Sequence, residues 1–159
     1  MRLTDILSPE RVIVELEARD KESVLRELVT RGFLDEERTP GLDDDDEERV
    51  IQVLQERERL GSTGIKDGLA IPHGKLPGLE RLTACLGLSR KGVNFGAMDE
   101  APSRVFIVLI SPESNSGDHL KALARISRLF SGGALTRRLM ELDDAALIFD
   151  ELAAEDARL

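Results

Sequence analysis

Apolar positions recur along this chain with two different periods, and the change of period marks its elements. The β-branched run Val12-Ile13-Val14, inside Arg11 to Leu16, reads as a strand. After Asp20, the residues Val24, Leu25, Leu28 and Val29 fall at i, i+1, i+4 and i+5. That stripe predicts a helix to about Arg31, with Gly32 at its C-terminal end. Thr39-Pro40-Gly41 interrupts the pattern. The acidic run Asp43 to Glu48 follows, then Val50, Ile51, Val53 and Leu54 in helical phase. Carboxylates at that place suit the positive end of a helix dipole, so the run reads as a solvated helix start.

From Gly61 to Gly78 the chain is glycine-rich, which predicts a loop or tight turns around a short strand at Leu69 to Ile71. Stronger strand signals follow at Leu82 to Leu88 and Arg104 to Ile110. Within the second, Val105 to Ile110 is apolar throughout, as a central strand covered on both faces requires. Ser111-Pro112 ends it. Asp118 to Phe130, Ala134 to Leu142 and Asp144 to Ala154 carry helical patterns, the first two separated by Gly132-Gly133. Strands mixed with helices around one fully buried strand predict an α/β sandwich with helices on both faces of its sheet.

Length and composition narrow the class. The 159 residues suit one domain spanning 1–159 with a sizeable core. Aromatic residues are 3 %, all Phe, so that core must be Leu, Ile, Val and Ala. A net charge of −9 repels phosphate backbones and anionic lipid, which argues against nucleic acid and membrane surfaces as partners. The apolar run Val105 to Ile110 is far short of the roughly 20 residues of a spanning helix. Met1 to Pro9 has no apolar run of signal-peptide length, so a cytoplasmic protein without membrane insertion is expected. The single cysteine, Cys85, sits in an apolar stretch and reads as a buried small hydrophobe.

Candidate chemistry centres on two histidines. Two His and one Cys do not make a structural zinc site of usual spacing, and neither a metal nor a cofactor is expected. Gly68 to Lys75 fails as a phosphate-binding P-loop, because five residues separate Gly68 from Gly74 and Leu76 stands where Ser or Thr is needed. His73 lies in Ile71-Pro72-His73-Gly74-Lys75. Pro72 stiffens the approach, and Gly74 leaves out a side chain, which predicts open space for another molecule beside the ring. Arg57, Arg59, Lys66 and Lys75 outnumber Glu58 and Asp67 around it, giving a basic window in an acidic protein. Arginine forks, Ser62, Thr63 and glycine amides are donors suited to phosphate oxygens. His119 lies in the first turn of the Asp118 helix, on the stripe of Leu123, Ile126 and Phe130. Spacing alone leaves it either packed in the core or reaching inward beside His73.

Arg57-Glu58-Arg59-Leu60-Gly61-Ser62-Thr63-Gly64-Ile65, followed by Gly68-Leu69-Ala70-Ile71-Pro72-His73-Gly74-Lys75, closely resembles enzyme IIA of the fructose/mannitol type in the bacterial phosphoenolpyruvate-dependent phosphotransferase system. Nearly the whole chain is covered, including Leu3-Thr4-Asp5-Ile6-Leu7 and Asp118-His119-Leu120, and the subtype looks nitrogen-regulatory. The resemblance implies a mixed β-sheet in the sandwich. It implies His73 as the histidine phosphorylated at Nε2, His119 as a flanking histidine, and Arg57 as an arginine near the phosphoryl group. It implies a small histidine phosphocarrier, HPr or its nitrogen-branch counterpart, as donor. The extended acidic insert Asp35 to Glu48 departs from the family pattern.

The residues support that chemistry independently. An imidazole with an ordinary pKa of about 6.5 is largely neutral near pH 7 and nucleophilic. Phosphoryl transfer needs positioning and charge more than it needs a metal. The expected function is a phosphocarrier acting mainly as a regulator, handing phosphate to, or acting on, a separate protein partner. Cys85, the only thiol, lies in an apolar strand pattern and not in the glycine-rich loop expected of a thiol phosphoacceptor. The alternatives are a sugar-specific enzyme IIA that passes phosphate to an enzyme IIB, and a binding module whose His73 is never phosphorylated.

Overall fold

The computed structural model describes residues 1–33, 44–114 and 116–159. Its elements in chain order are β1 (Val12–Ile13), α1 (Lys21–Gly32), α2 (Glu47–Arg59), β2 (Leu69–Ala70), β3 (His73–Lys75), β4 (Thr83–Val93), β5 (Ser103–Ser111), α3 (Ser116–Phe130), α4 (Ala134–Met140) and α5 (Ala145–Ala157). Single 3₁₀ turns lie at Leu3–Asp5, Pro9–Arg11 and Asp44–Asp46.

The five strands form one mixed sheet ordered β1-β4-β5-β2, with β3 also paired to β5. The long pair β4 and β5 is antiparallel, while β1 runs parallel to β4, and β2 and β3 run parallel to β5. Alternation along β5 divides the core in two. Val105, Ile107 and Leu109 join an apolar cluster with Ile126, Phe130, Leu139, Ile148 and Leu152 from α3, α4 and α5. Phe106, Val108 and Ile110 join the other cluster, with Val24, Leu28, Ile51 and Leu54 from α1 and α2. Every residue from Val105 to Ile110 is buried, so the central-strand expectation holds.

α1 starts where expected, because the Asp20 side chain accepts from the Ser23 amide as an N-cap. Gly32 ends the helix as expected. It is the last helical residue, and its role is close packing: a Cβ there would lie 2.6 Å from Cys85 Sγ on β4. Cys85 itself is fully buried. The start of α2 is tied to α1 by Arg26 to Glu48 (2.5 Å) and by Thr30 Oγ1 donating to Glu47 (2.7 Å). Thr39-Pro40-Gly41 and residues 35–43 of the acidic insert lie outside the described residues. The first strand is shorter than expected, since Pro9–Arg11 forms a 3₁₀ turn and only Val12 and Ile13 pair with β4. At the other end of the chain, Asp156 is 1 % exposed and accepts from the Leu3 amide (2.6 Å) and from Arg125 Nε (2.5 Å). That carboxylate ties the N-terminal turn to α5. Among the described residues no helix is long and apolar enough to cross a membrane.

Candidate functional site

His73 does not sit in a free loop. It opens β3, which pairs in parallel with β5 so that His73 stands beside Leu109. Pro72 contributes by accepting at its carbonyl from the Leu109 amide (2.9 Å). Before β3 the chain folds back on itself: Ile65 N donates to Leu69 O, and Ile71 N donates to Thr63 O (3.1 Å). The ring is half-buried, and its Nδ1 lies 2.7 Å from the Ile71 carbonyl oxygen. A carbonyl only accepts, so Nδ1 carries the proton and Nε2 holds the free lone pair.

Gly74 corrects a second expectation. A Cβ at this position would lie 2.4 Å from Val53 Cγ1, so glycine is required for α2 to lie against β3. The space it leaves is filled by this chain's own helix and is not an approach path for another molecule.

His119 enters from the other side of the sheet end, in the first turn of α3. Its ring centroid is 5.2 Å from that of His73, with the planes tilted by 57°. Both readings of this residue hold at once: it is only 8 % exposed, and it faces His73. Its Nδ1 lies 2.8 Å from Ser111 Oγ, at the C-terminal end of β5. Arg57, in the last turn of α2, donates from Nη1 to Gly61 O (2.9 Å), which folds its guanidinium over the start of the loop. The structure thus brings His73, His119 and Arg57 to one end of the sheet.

Both histidines are held below the ordinary pKa of an imidazole. For His73 burial is the main cause, and the Arg57 charge acts in the same direction. The Ile71 hydrogen bond and the Glu58 charge act against it. For His119 burial, then the neighbouring His73 and Lys75, bring the value to about 4. Two neutral imidazoles side by side at pH 7 therefore offer a nucleophilic nitrogen and a neutral hydrogen-bonding partner. Among the described residues no group of three or more His, Cys, Asp or Glu could hold a metal ion.

Two contributors were not singled out from the sequence. Ser111 reads there only as a strand end, yet its hydroxyl contacts His119. Glu58 reads as one charge in a mixed window, yet it is 7 % exposed and lies directly beneath the 61–65 loop. Large apolar side chains stand out in solvent on or beside these segments: Leu60 (85 % exposed) after Arg57, Leu120 (65 %) after His119, and Met98 (80 %), from the connection between β4 and β5, whose amide donates to Gly64 O.

Comparison with known proteins bears on what this arrangement serves. Residues 5–154 match the family described as phosphoenolpyruvate-dependent sugar phosphotransferase system, EIIA 2. A "Nitrogen regulatory protein" of Bradyrhizobium diazoefficiens is 36 % identical over 157 residues, covering 99 % of this chain and 98 % of that protein. The crystal structure of nitrogen regulatory protein IIA-Ntr from Neisseria meningitidis superposes with a TM-score of 0.82 at 29 % identity, over 93 % of this chain and 97 % of that one. Enzyme IIAMtl in its complex with phosphorylated enzyme IIBMtl from Escherichia coli superposes with a TM-score of 0.68 at 18 % identity, over 94 % and 99 %, a likeness of fold.

Proposed function

Since the chain belongs to the EIIA 2 family of the phosphoenolpyruvate-dependent sugar phosphotransferase system, whose members are phosphotransfer components, we propose that it is a phosphocarrier that takes a phosphoryl group onto His73 and acts mainly as a regulator. The observation that carries the assignment is the hydrogen bond from His73 Nδ1 to Ile71 O, which leaves the Nε2 lone pair free on a half-buried ring beside Arg57.

The donor is a phosphohistidine carrier of the HPr type. The Nε2 lone pair attacks phosphorus in line, the N–P bond of the donor breaks, and its electron pair returns to the donor imidazole. His73 keeps its Nδ1 proton, so the product phosphoimidazole still donates to Ile71 O. Arg57 supplies a fork of donors to the equatorial oxygens. His119 acts from the opposite side: with the Ser111 hydroxyl donating to its Nδ1, its Nε2–H is available to a phosphoryl oxygen. The exposed Leu60 and Leu120, on the segments that bear Arg57 and His119, and Met98, bonded through its amide to Gly64 O, give a docking carrier apolar surface. The whole of 1–159 serves as one IIA unit in this reading.

Intact mass after incubation with phosphoenolpyruvate, enzyme I and the HPr-type carrier tests it. One phosphate mass is expected on the wild type, labile in acid and stable in base, and none on His73→Ala. A phosphorylated His73→Ala would overturn the assignment, and an unphosphorylated wild type would favour a pure binding module. A transport reading is kept by the fold shared with mannitol enzyme IIA, seen in complex with its phosphorylated IIB. Rapid transfer to a sugar-specific enzyme IIB would favour it.

A further inference from the structure

Glu58 is a carboxylate largely removed from water, and burying one is unfavourable unless its charge and lone pairs are met. They are met from two sides. Lys21, the first residue of α1, donates from Nζ to Oε2 at 2.8 Å. Thr63 donates its amide to both oxygens (3.1 and 3.2 Å) and its hydroxyl to Oε1. Lys21 is itself fixed, with Nζ 4.6 Å above the centre of the Phe95 ring. A buried ion pair contributes little net stability compared with apolar packing, so its value here lies in what it positions.

What it positions can be traced bond by bond. The Thr63 carbonyl accepts from the Ile71 amide (3.1 Å), and the Ile71 carbonyl accepts from His73 Nδ1 (2.7 Å). An unbroken line of hydrogen bonds thus runs from the start of α1, through Glu58 and the 61–71 loop, to the ring that takes the phosphate. We propose that Glu58, clamped by Lys21, is a positioning residue for the phosphoacceptor: it fixes Thr63, Thr63 fixes the Ile71 backbone, and Ile71 holds His73 as the Nδ1–H tautomer with Nε2 free. This rests on His73 being the phosphoacceptor.

The same carboxylate has a charge effect. The groups facing His73 are Arg57 and Glu58 from α2 and His119 from α3, and Glu58 alone among them favours the imidazolium. Glu58 is faced in turn by Lys21 from α1 and by Thr63. Removing its charge should therefore lower the His73 pKa further, in the same direction as loosening the Ile71 hydrogen bond.

The test uses Glu58→Gln, Lys21→Met and Lys21→Arg in the full chain. Ring ¹⁵N shifts read the His73 tautomer, an NMR titration reads its pKa, and transfer from the phosphorylated HPr-type carrier gives a rate. Wild type should show one tautomer, with Nδ1 protonated. Glu58→Gln should show a mixture, a lowered His73 pKa, and transfer slowed by about ten- to a hundredfold, the scale of a misplaced reacting group, with little change in the carrier concentration at half-maximal rate. Lys21→Met, which leaves the Glu58 charge in place, should show the same tautomer mixture and slowed transfer, and Lys21→Arg, which restores a cation, should recover most of the rate. Ile148→Val, in the core on the other side of the sheet, controls for lost stability. If Glu58→Gln fails to fold, Lys21→Met carries the test, since the lysine side chain is one-third exposed. Wild-type tautomer and rate in these variants would overturn the inference. A wild type that takes no phosphate would sink the functional reading instead, while the tautomer measurement would still decide the role of Glu58.

Discussion

The two histidines share a site but differ in how firmly they are kept neutral. Burial lowers both pKa values, that of His119 to about 4. In an unfolded chain both would titrate near 6.5. Between about 4 and 6.5 the unfolded chain therefore binds more protons than the folded one, and stability falls as pH drops through that window. An NMR titration should show His119 uncharged down to about pH 4 and His73 titrating below 6.5, with transfer activity persisting at pH 6. Midpoints at or above the free-imidazole value would show that the rings are not desolvated.

His119→Ala should slow transfer about ten- to a thousandfold, the range for loss of one positioned donor, without abolishing phosphorylation. Arg57→Lys keeps the charge and loses the fork, so it should also be slower while folding normally. Full rates in either variant would reduce that residue to packing or bulk charge. At this scale the long motif around Arg57 and His73 singled out both residues as candidates, whereas spacing left His119 between two placements and only the ring contact with His73 fixes where it lies. Ser111 and Glu58 were not legible, because a strand-end serine and a helical glutamate acquire meaning only from what folds against them.

Elements were legible in proportion to how much of their own core they bury. α1, α3 and β5 stand close to where periodicity puts them, while β4 runs past its expected end at Leu88 to Val93. β3 was hidden, because its three residues, His73, Gly74 and Lys75, have no strand propensity and are held as a strand by pairing with β5. Gly74 was misread for the same reason: the helix that requires it, α2, is distant in sequence. Gly74→Ala should drive a methyl into Val53 and destabilise the chain by about 1–3 kcal/mol, the usual range for overpacking. Val53→Ala should relieve much of that loss in the double variant. Chemical denaturation of the two single variants and the double variant measures the coupling, and strictly additive effects would mean that α2 and β3 do not meet as described.

On the scale of the whole molecule, the arrangement separates what must stay still from what must change. The two apolar clusters lie on opposite faces of the sheet, and the histidines sit at the end of it, where β3, the end of β5 and the start of α3 converge. Phosphorylation adds roughly two negative charges at neutral pH. Placed on His73 in the proposed reading, that is a modest change in total on a chain of net charge −9 but a large one locally, because the Arg57 charge acts on the same ring and Leu120, the sequence neighbour of His119, is exposed. A partner reading that end of the sheet by charge and apolar contact can therefore distinguish the two states with no rearrangement of the core. Amide spectra of the phosphorylated and free chain should differ at residues 57–65, 71–75 and 116–121 and coincide in α4 and α5. Pull-downs with the wild type, His73→Ala and the phosphorylated form should recover different partner sets if the protein is a regulator. Identical sets, with shifts spread through both clusters, would mean that phosphate alters the fold as a whole and that partner choice does not depend on the local charge at His73.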